Sequence, residues 1–240
     1  VKADGYGHGS VFVANTLADE RKLYGFGVAS FKEAIELRLG LSKNLESIKV
    51  FVFSDISPWS DFKGELCRRF GLVPVLSRVE DLELFLRDHW HTRISFQVKF
   101  NTGMNRLGIH HQFASQVVSI IKRAKADHAL TGVLSHLAIG EKPSDPLSIL
   151  QKKRFIGIRE AFLENGLKPD FHLANSAAVF HFKKWGLQGL TNVVRPGLSL
   201  YGIPPWRTAK EIKLVPVMTL KARVIERHSL TSGERVGYGG

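Results

Sequence analysis

The chain has few or none of several features that mark whole classes of protein. It contains a single cysteine, Cys67, which excludes an intramolecular disulfide and fits a reducing compartment. No apolar run approaches the ~20 residues that a membrane-spanning helix needs, and no signal peptide is visible. The chain also lacks an initiator methionine and begins at Val1, inside a strand-like run. We therefore expect a cytoplasmic protein without a membrane segment, truncated here at both ends.

Acidic residues are also few. The chain has 22 Asp and Glu against 34 Lys and Arg, which gives a formal net charge of +12. Such a charge can favour a polyanionic partner. The basic residues are spread along the chain, however, and form only short clusters such as 152–154. Because no basic stripe is interleaved with aromatic residues, we expect no nucleic-acid partner.

Apolar strand-like runs alternate along the chain with segments of helical periodicity. The predicted strands are Tyr24–Ala29, Ile48–Phe53, Val73–Leu76, Ile94–Phe100, Ala129–Leu134, Asp170–Ala174 and Asn192–Arg195, with Val1 as the stub of one more. The predicted helices are Val11–Leu17, Phe31–Leu41, Trp59–Phe70, Val79–His89, His111–Lys125 and Ile149–Asn165.

About eight such units in ~200 residues predict an α/β fold, a parallel (β/α)8 barrel of the TIM type. A doubly wound open sheet is the alternative, but no G-x-G-x-x-G follows the first strand. Serines stand where helix N-caps are expected, and glycines stand where helices end. These residues are Ser30, Ser77 and Ser176 for the caps, and Gly71 and Gly166 for the ends.

The pattern changes after Pro204-Pro205. Residues Lys213–Arg227 alternate apolar and polar side chains without an intervening helix, which is typical of β-strands. We therefore predict a barrel domain over 1–206, a linker over Pro204–Lys213, and the beginning of a mostly-β C-terminal domain over 207–240.

The first ten residues, VKADGYGHGS, place an amine ahead of a turn with glycines at alternate positions. The amine of Lys2 can form a Schiff base with an aldehyde, and a desolvated lysine loses its proton more readily. A solvated terminal lysine followed by an ordinary turn is the alternative that these residues leave open.

Polar residues recur at the ends of four predicted strands. The segments are KFNTGMNRLG (99–108), SHLA (135–138), HLANSAA (172–178) and VRPGLSLYG (194–202). In a barrel these ends share one rim. Each polar residue has an ordinary structural explanation when taken singly: Arg106 as a surface cation, His136 as a buried histidine, Ser176 as a helix cap, and Arg195 as the partner of a structural acid.

Together the strand ends predict one site. Ser176 at a helix start and the amides of Gly197 and Leu198 suit an anion. Tyr6 adds a phenol to this group. The set predicts that a phosphate is held at three neighbouring strand ends, while Lys2 holds the aldehyde carbon and Arg195 faces the ring between them.

Six stretches resemble the alanine racemases, pyridoxal-phosphate enzymes of fold type III that interconvert L- and D-alanine. They are VKADGYGHG, KFNTGMNRLG, GVLSHLA, HLANSAA, VRPGLSLYG and VGYGG, in order and covering essentially the whole chain. The resemblance implies a bacterial, cytoplasmic homodimer with active sites shared across the interface. Its cofactor would be pyridoxal 5′-phosphate, its substrate alanine, its site free of metal, and its product D-alanine for peptidoglycan.

The resemblance also implies a role for individual residues. Lys2 resembles the lysine that joins the cofactor and acts as one of two bases. Tyr238 resembles the opposing base, which reaches the partner subunit's site. The phosphate-binding set would be Tyr6, Asn175, Ser176, Gly197 and Leu198.

Four further residues would surround the cofactor ring and the substrate. Arg195 resembles the arginine on the pyridine nitrogen, which would leave the ring a weak electron sink. His136 resembles the histidine that lies against the ring and links Arg195 to the catalytic tyrosine. Arg106 resembles the residue near the substrate carboxylate, and Lys99 occupies the position of a lysine that many members carry carbamylated. In the same loop Asn101 and Asn105 depart from the family pattern.

Two other functions remain open at this point. A non-enzymatic pyridoxal-phosphate carrier would resemble the barrel alone, and the alternating segment after Lys213 argues against it. A fold-type III amino-acid decarboxylase would carry a second acidic or cysteine motif, and these residues contain none.

Overall fold

Seven parallel strands form one sheet in the computed structural model, which describes residues 1–206 and 213–239. The strands are β1 (Gly25–Val28), β2 (Lys49–Val52), β3 (Leu72–Leu76), β4 (Phe96–Asn101), β6 (Leu130–Leu134), β7 (Asp170–Asn175) and β8 (Val193–Arg195), with the short β5 (Ile109–His110) pairing only with β4. The sheet order is β1-β2-β3-β4-β6-β7-β8. Because every pairing is parallel, each connection has to cross over the sheet.

Helices make these crossovers. The α-helices are Ser10–Thr16, Phe31–Gly40, Asp61–Phe70, Val79–Arg87, Ala114–Arg123, Pro146–Glu164, Ser176–Phe180 and Phe182–Trp185. Single 3-10 turns occupy Lys43–Leu45, Trp90–Thr92, His111–Phe113 and Leu198–Tyr201. The helices cover one face of the sheet and side chains inside its curl cover the other, so a strand such as β3 is buried at all five residues.

The α/β barrel-type fold and all seven internal strands are therefore confirmed, each strand within two residues of its predicted bounds. Ser30 caps its helix by accepting a hydrogen bond from the Glu33 amide, and Gly71 ends another helix with a φ of 60°. Ser77 does not cap, because the helix begins at Val79 with Arg78 as the capping residue.

Two predictions about strands are wrong. Val1 belongs to no strand, and its amino group instead donates a hydrogen bond to the Gly27 carbonyl oxygen over 3.0 Å. No strand forms over Lys213–Arg227 either, and the described residues 213–239 are almost all exposed. An alternating pattern needs a neighbouring strand before its backbone can pair. The domain boundary after residue 206 stays a prediction, and residues 207–212 of the expected linker lie outside the described residues.

The sheet curls around its own interior. Four side chains from β2, β3 and β6 form a cluster inside the curl, namely Phe51, Val73, Val75 and Leu134. Leu134 of β6 can reach β2 and β3 only if the sheet bends over β4. The larger core lies outside, between the strands and the helices.

A hydrogen bond joins the two sides of the curl. Tyr24, directly before β1, donates from its hydroxyl to Oδ2 of Asp170 at the start of β7, over 2.7 Å. Burial, followed by this bond to the carboxylate, raises the pKa of Tyr24. The contact spans 146 residues of chain and connects the first strand with the sixth along the sheet.

We expect Tyr24→Phe to lower the free energy of unfolding by about 1 kcal/mol, the net value of one such hydrogen bond. Urea denaturation of the chain measures this difference. Tyr238→Phe is the matched control, because that side chain is fully exposed and its hydroxyl stabilises nothing in the described fold. Equal losses in the two variants would contradict the role assigned to the Tyr24 hydroxyl.

Candidate active site

The segment Lys2–Gly7, the lysine turn, winds in the left-handed direction. Four successive residues, from Ala3 to Tyr6, have φ between 48° and 63°. Left-handed conformation costs a residue other than glycine roughly 1–2 kcal/mol, so three of these positions are strained. Hydrogen bonds hold the turn: the Asp4 carboxylate accepts from the Ser10 amide over 2.7 Å. The chain start therefore forms a left-handed turn in place of the predicted strand.

Aromatic rings pack the lysine turn against the segment after β8. The Tyr6 ring lies 5.2 Å from the ring of buried Tyr201, and His8 stacks on Tyr201 at 4.5 Å. The amine of Lys2 lies 4.7 Å from the centre of the Tyr6 ring. The structure therefore brings Lys2 to the predicted phenol. It leaves Lys2 exposed, however, so the expected desolvation of this amine is not seen.

Hydroxyl and amide groups from three segments meet beside Tyr6. The Ser176 hydroxyl accepts hydrogen bonds from the Gly197 amide over 2.8 Å and from the Ser199 hydroxyl over 3.2 Å. A Cβ atom at Gly197 would lie 2.6 Å from the Tyr6 hydroxyl, so only glycine leaves room there. Hydroxyl groups and backbone amides are groups that bind phosphate in proteins. We call Tyr6, Ser176, Gly197 and Ser199 together the hydroxyl cradle. Leu198 directly follows and begins the turn Leu198–Tyr201.

The sequence predicts Ser176 as a helix N-cap, and this prediction is wrong. Asn175 is the helix N-cap, since its Oδ1 accepts from the Ala178 amide over 3.1 Å, while Ser176 is the first helical residue. The Nδ2 group of Asn175 donates to the Leu137 carbonyl oxygen over 3.2 Å. Because the cap is one residue earlier, the hydroxyl of Ser176 is free to face Gly197.

The ends of β6 and β8 meet through Arg195. Its Nη2 group donates a hydrogen bond to the carbonyl oxygen of Ser135 and lies 3.5 Å from Nδ1 of His136. Arginine has no acceptor, so this Nδ1 is the acceptor and the His136 proton is on Nε2. Burial, followed by the charges of Arg195, Lys99 and Arg106, lowers the pKa of His136 to about 3. His136 is therefore neutral at physiological pH.

Arg195 has a donor to spare. Its Nη1 atom is buried and, among the described residues, has no hydrogen-bond partner. Burial lowers the pKa of Arg195 to about 10, which still leaves the guanidinium charged near pH 7. A buried, charged donor without an acceptor is costly, and a ligand acceptor at this point would offset that cost.

Lys99 adds a second buried basic group. Its residue is 6% exposed, and burial followed by the charges of Arg106 and Arg195 lowers the pKa of Lys99 to about 8. Arg106 itself is exposed in the loop after β4, close enough for its charge to act on both Lys99 and His136. Within the described part of the chain, no carboxylate forms an ion pair with any of these groups. The strand-end rim therefore carries positive charge that no described carboxylate balances.

The two residues that depart from the family pattern hold the loop of Arg106. Oδ1 of Asn101 accepts from the amides of Gly103 and Asn105, each over 3.0 Å. Nδ2 of Asn101 donates to Oδ1 of Asn105 over 2.9 Å. Asn105 has a φ of 56°, a conformation that asparagine tolerates better than most residues. The pair thus fixes the backbone directly before Arg106.

One predicted residue is not brought to this group. Tyr238 is fully exposed in the described segment 213–239, apart from the other predicted site residues. The prediction that it faces a partner's site remains a prediction.

Sequence reasoning missed His172. Its side chain is 2% exposed in the middle of β7, and neither ring nitrogen has a partner among the described residues. Burial, followed by the charge of Arg195, holds the pKa of His172 well below its usual range. Its position between Phe171 and Leu173 was the available signal, because alternate residues of a strand face opposite sides and His172 faces inward.

The described residues contain no group of three or more His, Cys, Asp or Glu side chains arranged to hold a metal ion. Among the helices of residues 1–206, none combines the length and the apolar character needed to cross a membrane.

Known proteins resemble this chain along its whole length. The alanine racemase of Mycobacterium ulcerans (strain Agy99) is 32% identical over 243 residues, which cover 100% of this chain and 60% of that protein. The alanine racemase of Rickettsia bellii (strain RML369-C) is 30% identical over 245 residues, covering 99% and 55%. The structure of alanine racemase from Acinetobacter baumannii matches with a TM-score of 0.81 and 28% identity, over 100% of this chain and 63% of that chain.

The chain thus spans between 55 and 63% of the length of these three proteins. The family model for the N-terminal domain of alanine racemase matches residues 1–205, which is the whole curled sheet with its helices and the rim described above. On this match the chain belongs to the alanine racemase family.

Proposed function

We propose that the protein carrying this chain is an alanine racemase that uses pyridoxal 5′-phosphate to interconvert L- and D-alanine. The observation that supports this function most directly is the arrangement at the rim. A lysine, a hydroxyl cradle and a buried arginine with a spare donor lie on neighbouring segments. The relatives named alanine racemase cover the same residues.

The described residues fit the cofactor. The hydroxyl cradle, with Leu198 and Asn175 beside it, would hold the phosphate, because hydroxyl and amide groups lie together there and glycine at 197 leaves room beside the Tyr6 hydroxyl. Lys2 would bind the aldehyde carbon. The spare Nη1 donor of Arg195 would bind the ring nitrogen. When bound, pyridoxal phosphate supplies an electron sink that makes the α-proton of an amino acid removable.

Arg195 limits how strong that sink becomes. With a pKa of about 10, Arg195 keeps its own proton near pH 7 and acts only as a hydrogen-bond donor. His136 stays neutral beside it and accepts from it, so neither group gives the ring a full proton. This arrangement favours reversible proton transfer over reactions that need a long-lived carbanion.

Racemisation removes the α-proton from one face and delivers a proton to the other, and one base on each face does this directly. We assign Lys2 to one face and Tyr238 to the other. Because the Tyr238 side chain is fully exposed on its own chain, it would act in the site of the partner subunit of a homodimer. Its neighbour in that site would be His136. Arg106 would bind the substrate carboxylate, because its charge lies on the rim where anions are favoured.

The buried amine of Lys99 suits carbamylation. Only a neutral amine reacts with CO2, and a pKa of about 8 makes a share of Lys99 neutral near physiological pH. The carbamate would carry a negative charge between the two guanidinium groups of Arg106 and Arg195. It would thereby balance a cluster of cations that no described carboxylate balances.

We further propose a bacterial cytoplasmic enzyme whose D-alanine enters peptidoglycan, with a barrel domain over 1–206 and the beginning of a β domain over 207–240. Two other functions would share the cofactor site. A carrier would bind pyridoxal phosphate without turnover, and a decarboxylase would release CO2 from basic amino acids. Parallel assays of D-alanine and CO2 separate the three.

The first test of the function is Lys2→Ala. We expect it to abolish both the visible absorbance of the protein with pyridoxal phosphate and the racemisation of L-alanine, because the Lys2 amine is the one that lies against the Tyr6 ring and that we assign to the aldehyde carbon. Borohydride treatment followed by peptide mass analysis should place a pyridoxyl group on Lys2. Lys122→Ala, which removes an exposed lysine on the helix Ala114–Arg123, is the matched control. Unchanged turnover in Lys2→Ala would sink the proposal.

The second test concerns Lys99. At fixed dissolved CO2 the carbamylated fraction should rise as the pH rises through about 8, since only the unprotonated amine reacts. Carbon-13 nuclear magnetic resonance with labelled CO2 measures one carbamate signal. Lys99→Met should remove that signal. A signal that is independent of pH between 6 and 9, on either side of the pKa of about 8, would contradict the assignment.

A further inference from the structure

Gln151 is a fully buried polar side chain outside the predicted site. It lies on the helix Pro146–Glu164 and is 0% exposed. Its Nε2 group donates to the carbonyl oxygen of His136 over 2.9 Å and to the hydroxyl of Thr102 over 3.2 Å. Its Oε1 accepts from the amide of Ala138 over 2.9 Å. Both donors and the acceptor oxygen of the Gln151 side-chain amide are therefore hydrogen-bonded.

These bonds fix the loop that carries His136. Residues 135–138 are otherwise held from inside the sheet, where the Ser135 amide donates to the His172 carbonyl oxygen over 3.1 Å. Gln151 hydrogen-bonds to the same loop from the helix layer, at the residues directly before and after Leu137. A loop held from two layers has little freedom to tilt the His136 ring away from Arg195.

Gln151 also reaches the loop that carries Arg106. Thr102 stands at the start of that loop, and its hydroxyl lies 2.7 Å from the hydroxyl of Ser135. Arg154, one helical turn after Gln151, donates to the Thr102 carbonyl oxygen over 2.9 Å. The helix is thereby tied to two strand-end loops at once, and Gln151 is the residue that bonds to both.

We propose that Gln151 is a positioning residue, which sets the loop of His136 against the loop of Arg106 through the two donors and one acceptor of its side-chain amide. This role rests on the proposed racemase function of the rim. It predicts a chemical requirement that packing alone does not impose. Glutamate has the same shape but no donor, and leucine has neither donor nor acceptor.

The first measurement uses the chain without cofactor. Amide hydrogen exchange at Ala138 is compared with that of the strand amides of β6. Gln151→Leu removes the acceptor, so we expect exchange at Ala138 to accelerate about tenfold relative to those strand amides, as for an amide that opens locally. Gln151→Glu retains an acceptor and should leave Ala138 within about threefold of the wild type by the same reasoning. It also keeps the test open if the leucine variant fails to fold.

The second measurement uses the protein carrying this chain, loaded with pyridoxal phosphate. Both variants lose the two donors, so kcat should fall about tenfold, as expected for a misplaced site, while KM for alanine changes less. The carboxylate of Gln151→Glu also adds a negative charge beside His136. It should therefore raise the pH at which the His136 ring titrates, followed by nuclear magnetic resonance.

Phe162→Leu is the matched control. Phe162 is fully buried on the same helix and contributes only packing, so its truncation should lower Tm without changing the Ala138 exchange ratio, kcat or the His136 titration. Unchanged exchange at Ala138 in Gln151→Leu, or wild-type kcat in both Gln151 variants, overturns the role of Gln151. A wild-type protein that binds pyridoxal phosphate but forms no D-alanine overturns the proposed function instead, and leaves the exchange result standing.

Discussion

The curl of the parallel sheet is the constraint on which the site depends. Arg195 at the end of β8 hydrogen-bonds to Ser135 at the end of β6, across the intervening β7. In a flat sheet a side chain at one strand end would not reach past its neighbour to the next but one. Because the strands are parallel, their carboxyl ends also lie on the same rim. Curvature and strand direction together therefore bring residues from distant parts of the chain into one space.

That space is electrostatically unbalanced. Burial, followed by the charges of Arg106 and Arg195, lowers the pKa of Lys99, and burial followed by the charges of all three residues lowers the pKa of His136 and keeps it neutral. Burying cations without acids destabilises a fold, so this cluster does not serve stability. Whatever anion binds there recovers the lost energy and stabilises the folded chain by mass action. The rim is better explained as a binding surface. The free energy that its buried cations cost is offset by the packing of the surrounding strands and helices.

The sequence predicts some of these features better than others, for physical reasons. Alternating apolar and helical segments specify the seven strands, and the strand ends specify where Arg195 and His136 lie. Contacts between the helices and the sheet leave no such pattern in the sequence. Gln151, for example, meets the loops of His136 and Arg106 only after its helix has packed on the sheet. A cap can shift by one residue, as Asn175 and Ser176 show, because both side chains can accept from a helix amide. The alternation after Lys213 predicts a strand, but pairing depends on a neighbour that alternation does not encode.

The lysine turn shows how a strained local structure can be held in place by ordinary contacts. Its left-handed residues would relax in an isolated peptide. In the fold, Glu33 prevents this, since Oε1 accepts from the Ala3 amide over 2.9 Å and Oε2 accepts from the Ala29 amide over 2.7 Å. One carboxylate thus fastens the turn to the end of β1. Backbone strain of this kind persists only where surrounding contacts determine the conformation, and here the strained turn holds the Lys2 amine 4.7 Å from the centre of the Tyr6 ring.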